Sequence, residues 1–193
     1  VVVVGKTVEQ FNRMELKGRW RQLPERFEQR RIELQERFGR RQMPNGPVAA
    51  LVPFFAYLDR CTTSTDHLLV AGFMPEVAYY AKRPFAGGQS TFVPGYYASS
   101  DNQNLVVARL GSQSAPFVLI PSRDATEFDR AFPLVAAYVR GHYTLMTKVP
   151  VDEETSIDIL SDLSLGGAVD SQTGWPCAPP PVARTLRPFS AMP

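Results

Sequence analysis

The sequence predicts an α/β fold, a three-layer domain in which helices cover both faces of a mainly parallel sheet. Two observations carry this prediction. Short β-rich segments alternate with helical segments between residues 48 and 151, and strands joined through helices pair in parallel as right-handed crossovers. In addition, residues 67–73 are apolar almost throughout, which is typical of a strand buried on both faces.

A basic helical segment is predicted before this domain, at residues 1–43. Residues 1–41 hold eleven Lys or Arg and six Glu, and acid-first i,i+4 pairs such as Glu33 with Arg37 favour a helix. Two interpretations stay open. The commoner one is a solvated helix face, and the other is a contact surface for anionic lipid head groups or nucleic acid.

The elements of the α/β domain, residues 44–154, follow from the spacing of their apolar residues. These recur at helical spacing over residues 48–58, and Pro75 opens a helix that ends near Lys82. We further expect an extended piece at 90–93, a helix at 101–110, a strand at 117–120, a helix at 122–138 broken near Pro133, and a strand at 143–151. Beyond Glu154 the alternation stops, which predicts an extended Pro-rich C-terminal tail at residues 155–193.

Composition and motifs exclude several classes of function. A hydrophobic share of 44% and a charged share of 21% are ordinary for a folded domain. The longest apolar run, residues 48–58, is shorter than the ~20 residues that cross a bilayer. No GxSxG, GxGxxG or GxxxxGK[ST] motif occurs, so the predicted domain is Rossmann-like without a dinucleotide fingerprint. No catalytic residue and no metal site can be assigned, and a soluble enzyme ranks lowest.

The densest unusual stretch is residues 79–97, which is rich in Tyr and Gly. Paired glycines allow a backbone to approach a ligand closely, and polar or aromatic side chains beside them can bind a sugar or phosphate at the strand ends. The candidate ligand-binding residues are Arg83, Gly87, Gly88, Gln89, Tyr96 and Tyr97. The commoner alternative is a turn that needs positive φ at Gly87 or Gly88, with the aromatic residues packed in the core or an interface.

A combination of short motifs resembles a known family. The motifs are YLDRCT at 57–62, DHLLVAGF at 66–73, PE at 75–76, YAKR at 80–83 and FAGG at 85–88. Together they resemble the soluble C-terminal domain of bacterial GT-C membrane glycosyltransferases, which are similar to dolichyl-phosphate-mannose-protein mannosyltransferases. The resemblance covers about residues 48–150, and each motif alone is weak.

The resemblance implies a parent enzyme that transfers a sugar from a polyprenyl-phosphate donor to an acceptor, with no nucleotide sugar used directly. The family's catalytic carboxylates lie in a loop after the first membrane helix, a part that this chain does not include. The chain would then be an accessory domain without a cofactor of its own. Its expected partners are the transmembrane part of the same protein, the lipid surface through residues 6–41, and an acceptor substrate. Nucleic acid is not expected.

The resemblance also implies a location at the cell membrane, on its extracytoplasmic face. The positive-inside tendency of basic residues after a membrane helix favours the opposite side. In an oxidising periplasm Cys61 and Cys177 would pair and pin the tail to the domain, whereas in the cytosol they would be free thiols. Two alternatives remain for function: a freestanding sugar-phosphate or small-molecule binding module, and a structural protein-interaction domain.

Overall fold

The computed structural model describes residues 44, 46–166 and 168–178. The predicted basic segment at 1–43, its lipid contact at 6–41 and the end of the predicted tail at 179–193 lie outside the described residues. Within the described part of the chain, no helix combines the length and apolar character needed to cross a membrane.

Four strands form one mixed sheet. They are β1 (Leu68–Val70), β2 (Phe117–Pro121), β3 (Tyr143–Pro150) and β4 (Ser156–Asp162), arranged in the order β1-β2-β4-β3. Only β1 and β2 pair in parallel, with Leu69 opposite Val118. The pairs of β4 with β2 and with β3 are antiparallel. The α/β class is therefore confirmed, and the prediction of a mainly parallel sheet is wrong.

A tight hairpin explains the antiparallel pairing of β3 with β4. Between β3 and β4, the N–H of Val151 donates to the carbonyl of Thr155 at 2.9 Å. The Asp152 carboxylate accepts the N–H groups of Glu154 and Thr155 at 3.0 and 2.8 Å. A connection this short can only join antiparallel neighbours. β4 lies inside the segment assigned to the tail from sequence, so the sheet continues past the predicted boundary at Glu154.

Five α-helices and two 3₁₀ helices, one of them at Ala86–Gly88, lie in the described part of the chain. A 3₁₀ helix at Gly46–Leu51 leads into α1 (Val52–Cys61), and the others are α2 (Glu76–Ala81), α3 (Ser100–Ser112), α4 (Ala125–Ala131) and α5 (Pro133–His142). The break between α4 and α5 falls where Pro133 was expected to interrupt the helix. The extended piece predicted at residues 90–93 forms no strand. Their backbone bonds instead to the loop after β1, where the N–H of Phe92 donates to the carbonyl of Gly72 at 3.1 Å.

The core has two halves, one on each face of the sheet. Leu68 and Val70 of β1 pack with α1 and α2, whereas Leu69 packs with α3, α4 and α5. This alternation follows from the period of two in strand side chains. Burial on both faces also accounts for the continuous apolar character of β1.

Residues 168–178, here called the C-terminal segment, pack against α1. A disulfide joins Cys177 to Cys61 at the end of α1, and the N–H of Ala178 donates to the carbonyl of Cys61 at 3.0 Å. The hydroxyl of Tyr57 also donates to the carbonyl of Pro176. This part of the predicted tail is therefore held against the domain.

Candidate functional site

A cleft of about 290 Å³ lies between the loop of residues 88–97 and helix α3. The loop contributes Gly88, Gln89, Ser90, Thr91 and Tyr97, and α3 contributes Asn102, Leu105, Val106 and Arg109. We refer to it as the Arg109 cleft. It brings together three of the six ligand-binding candidates from the sequence, Gly88, Gln89 and Tyr97.

The two candidate glycines form the turn that meets α3. Their φ angles are +70° at Gly87 and +72° at Gly88, in the region that favours glycine. A Cβ on Gly87 would lie 2.7 Å from Cγ1 of Val106, and one on Gly88 would overlap the guanidinium of Arg109. The N–H of Gly87 donates to Oε1 of Gln113 at 2.8 Å. The glycines thus form the positive-φ turn of the commoner alternative, and the close approach that the structure shows is to α3.

Arg83 lies elsewhere and does not line the cleft. Its side chain is 6% exposed, and its guanidinium donates to the carbonyls of Leu58 and Thr62 at 3.1 and 3.3 Å. It also donates to the hydroxyl of Thr62 at 2.9 Å. These acceptors lie at the C-terminal end of α1, where helix carbonyls lack partners within the helix. Arg83 therefore caps the C-terminal end of α1, and the arginine that lines the cleft is Arg109.

The remaining candidates differ in exposure. Tyr97 adopts φ +54° and is 62% exposed at the cleft. Tyr96 is equally exposed but does not line the cleft. The buried Oε1 of Gln89 has no hydrogen-bond partner among the described residues, which is unusual because buried acceptors are normally paired.

A second cleft of about 190 Å³ lies at the carboxyl ends of the parallel strands. Gly72 and Phe73 follow β1, Arg123 and Asp124 follow β2, and Glu127 comes from α4. Burial raises the pKa of the Asp124 carboxyl, an effect that nearby Arg123 opposes and Glu127 reinforces. We refer to it as the strand-end cleft. A ligand site at the strand ends is predicted from the sequence, but none of these residues is among its candidates.

Metal chemistry finds no support in the described part of the chain. No group of three or more His, Cys, Asp or Glu residues there could hold a metal ion. The acidic run at 152–154 forms the β3–β4 turn, because Asp152 accepts two backbone N–H groups within it. Neither His67 nor His142 lines either of the two clefts.

Comparison with known proteins adds no relatives. No protein-family model, no curated protein and no solved structure matches this chain.

Proposed function

We propose that this chain is the extracytoplasmic, non-catalytic accessory domain of a membrane glycosyltransferase that uses a polyprenyl-phosphate sugar. The observation that carries the proposal is the position of three glycines from the motifs that resemble the family. Gly72 lies against the Asp124 carboxylate in the strand-end cleft, and the Gly87–Gly88 turn lies against α3 in the Arg109 cleft. Two of the five motifs, DHLLVAGF and FAGG, therefore contribute to the walls of the two clefts.

The disulfide supports the extracytoplasmic side. Disulfides persist in oxidising compartments and are rare in the cytosol. Here Cys61 and Cys177 join segments 116 residues apart, so the bond ties the C-terminal segment to α1. This favours the periplasmic alternative over the cytoplasmic one that the basic segment suggested.

The role proposed for the domain is recognition. Each cleft combines charged or polar side chains with an exposed aromatic ring, Tyr97 in one and Phe73 in the other. Saccharides are bound by such mixed surfaces, since a ring covers their apolar faces and polar groups bond their hydroxyls. We assign catalysis to the transmembrane part of the same protein, with the acceptor or the donor head group held here.

The coding sequence upstream of the Val1 codon tests this proposal directly. We expect several consecutive hydrophobic spans of about 20 residues, with an acidic loop after the first. A start codon at or next to Val1 would overturn the glycosyltransferase assignment.

Thiol labelling in intact cells tests the location. We expect Cys61 and Cys177 to react with a membrane-impermeant maleimide only after a reductant is added from outside. A Cys61→Ser variant, which frees Cys177, should react without the reductant and serves as the control. Labelling that requires cell lysis would place the domain in the cytoplasm.

A freestanding sugar-phosphate binding module is the second candidate function. The Arg109 cleft favours it, because the described residues that line it include one cation and no carboxylate. A start codon near Val1 together with ligand binding by the soluble chain would select this alternative.

A further inference from the structure

Among the described residues, Arg109 has no carboxylate that would pair with its positive charge. The described residues include six arginines, and five of them lie 2.8–3.9 Å from a carboxylate oxygen. Arg109 has no such partner within the described part of the chain. Since a guanidinium prefers to pair with a carboxylate or a phosphate, the cleft presents a cation that is free to take an anion.

The guanidinium of Arg109 contacts the backbone of Gly87 and Gly88. Nη1 of Arg109 donates to the carbonyl of Gly87 at 3.4 Å, and the group lies directly against Cα of Gly88. Any larger residue at position 88 would occupy the space of the guanidinium. The positive-φ glycine pair thus leaves the space that the guanidinium of Arg109 occupies. Among the described residues, the other N–H donors of this guanidinium are available for a ligand.

The surrounding wall suits a sugar attached to that anion. Ser90, Thr91 and Asn102 supply hydroxyl and amide groups, and the buried Oε1 of Gln89 lacks a partner among the described residues. Tyr97 adds an exposed ring in a left-handed backbone conformation. Strain of that kind concentrates at ligand-binding sites.

We propose that the Arg109 cleft binds a phosphorylated monosaccharide, with Arg109 on the phosphate and Tyr97 against the sugar ring. The volume of about 290 Å³ is at the lower end of ligand pockets, roughly 300–1,000 Å³, which fits one sugar unit. The phosphate can come from a soluble sugar phosphate or from a polyprenyl-phosphate sugar at a membrane. Only the lipid-linked source rests on the proposed function.

Titration calorimetry on the purified 193-residue chain tests the site with three probes: mannose 1-phosphate, inorganic phosphate, and phosphatidylcholine vesicles with or without polyprenyl-phosphate mannose. We expect Arg109→Gln to weaken binding of the phosphosugar about ten- to a hundredfold, the size expected for lost charged hydrogen bonds. Arg140→Gln is the matched control, because Arg140 is a surface arginine paired with Asp129 at 2.8 Å outside the cleft. Tyr97→Gly should weaken phosphosugar binding and leave binding of inorganic phosphate unchanged.

The outcomes distinguish a soluble from a lipid-linked phosphosugar, and they include the results that would overturn the proposed site. Arg109-dependent binding of mannose 1-phosphate supports a soluble ligand, and such binding of the lipid vesicles alone supports the membrane donor. Binding of inorganic phosphate as tight as that of the phosphosugar would overturn the role given to the sugar. Unchanged binding in Arg109→Gln, with its fold verified by urea unfolding, or no binding of any probe, would overturn the site. Neither result depends on the upstream coding sequence, which tests the proposed function separately.

Discussion

The guanidinium of Arg83 illustrates how much one buried cation can hold. It donates to carbonyls at the end of α1 and to those of Ala81 and Lys82 at the end of α2. Replacing it by Met would remove this donor from the carbonyls of Thr62, Ala81 and Lys82, whereas the carbonyl of Leu58 would keep the N–H and hydroxyl of Thr62. Each unsatisfied buried group costs about 1–3 kcal/mol.

We therefore expect Arg83→Met to lower the free energy of unfolding by about 2–4 kcal/mol, measured by urea denaturation. Arg130→Met is the matched control. Its guanidinium is exposed and contacts Glu127 at 3.4 Å, and such surface pairs contribute about 0–1 kcal/mol. Equal losses in the two variants would contradict the capping role of Arg83.

Alanine substitutions at Gly88 and Gly95 distinguish the effect of backbone strain from that of steric crowding. Both have positive φ, +72° and +85°, but a Cβ on Gly95 would meet nothing within 4 Å. We expect each change to Ala to cost about 1–2 kcal/mol of stability, because a left-handed conformation is unfavourable for alanine. Only Gly88→Ala should also weaken binding of mannose 1-phosphate, since its methyl group displaces Arg109. Equal binding of mannose 1-phosphate by the two variants would show that the space at Gly88 is not needed for binding through Arg109.

At this scale the sequence predicts residue types better than residue roles. A Gly-Gly pair next to polar and aromatic residues indicates a special turn, and the φ angles of Gly87 and Gly88 agree. The choice between Arg83 and Arg109 could not be made from sequence. It depends on which face of α3 meets the turn, and that is set by long-range packing.

The contact between α1 and the C-terminal segment contains an ion pair that should respond to acid. Nε and Nη2 of Arg60 donate to the two oxygens of Asp170 at 3.0 and 2.9 Å, and Thr173 adds two further donors. The hydrogen bonds from Arg60, followed by those from Thr173, hold the pKa of the Asp170 carboxyl well below its usual range.

A lowered pKa in the folded state means that the unfolded chain binds the proton more readily. The stabilisation from Asp170 is therefore complete above the unfolded pKa of about 3.9 and is lost as the pH falls toward the folded pKa. We expect Asp170→Asn to be less stable than the parent at pH 7, with the difference shrinking below about pH 4. Urea midpoints between pH 2 and 7 measure this. Asp129→Asn, which changes an exposed pair, should show little difference, and a pH-independent gap for Asp170→Asn would contradict the mechanism.

The direction of the strands was predictable in part. Strands separated by a helix, such as β1 and β2, pair in parallel as the alternation indicated. The remaining signal was in the sequence SIDILSD at 156–162, where polar and apolar residues alternate over 156–159 as in a half-buried strand, and burial alternates along the whole strand. Its short connection to β3 also requires antiparallel pairing. Reading residues 155–193 as one tail because of the prolines concealed both signals.

At the scale of the described domain, the two halves of the core share one sheet but are covered by elements from different parts of the chain. The half under α3, α4 and α5 is closed by helices close to one another along the chain. The half under α1 also packs Trp175 and Cys177 from the C-terminal segment, which arrives from the far end of the described chain. The rings of Trp175 and Tyr57 pack edge to face, with their centroids 5.1 Å apart. This half therefore depends on a long-range closure that local sequence patterns do not encode.

The disulfide makes that closure covalent, and its contribution is measurable on the whole chain. A crosslink between residues 116 positions apart restricts the unfolded ensemble, and a native disulfide typically contributes about 2–5 kcal/mol. We expect a phosphine reductant to lower the free energy of unfolding by this amount. The folded state should persist, because Arg60, Tyr57 and Trp175 still hold the segment. The Cys61→Ser/Cys177→Ser variant should match the reduced chain and ignore the reductant. If reduction left the urea midpoint unchanged, the α1 half of the core would close without its crosslink, and the bond would serve only to retain the segment.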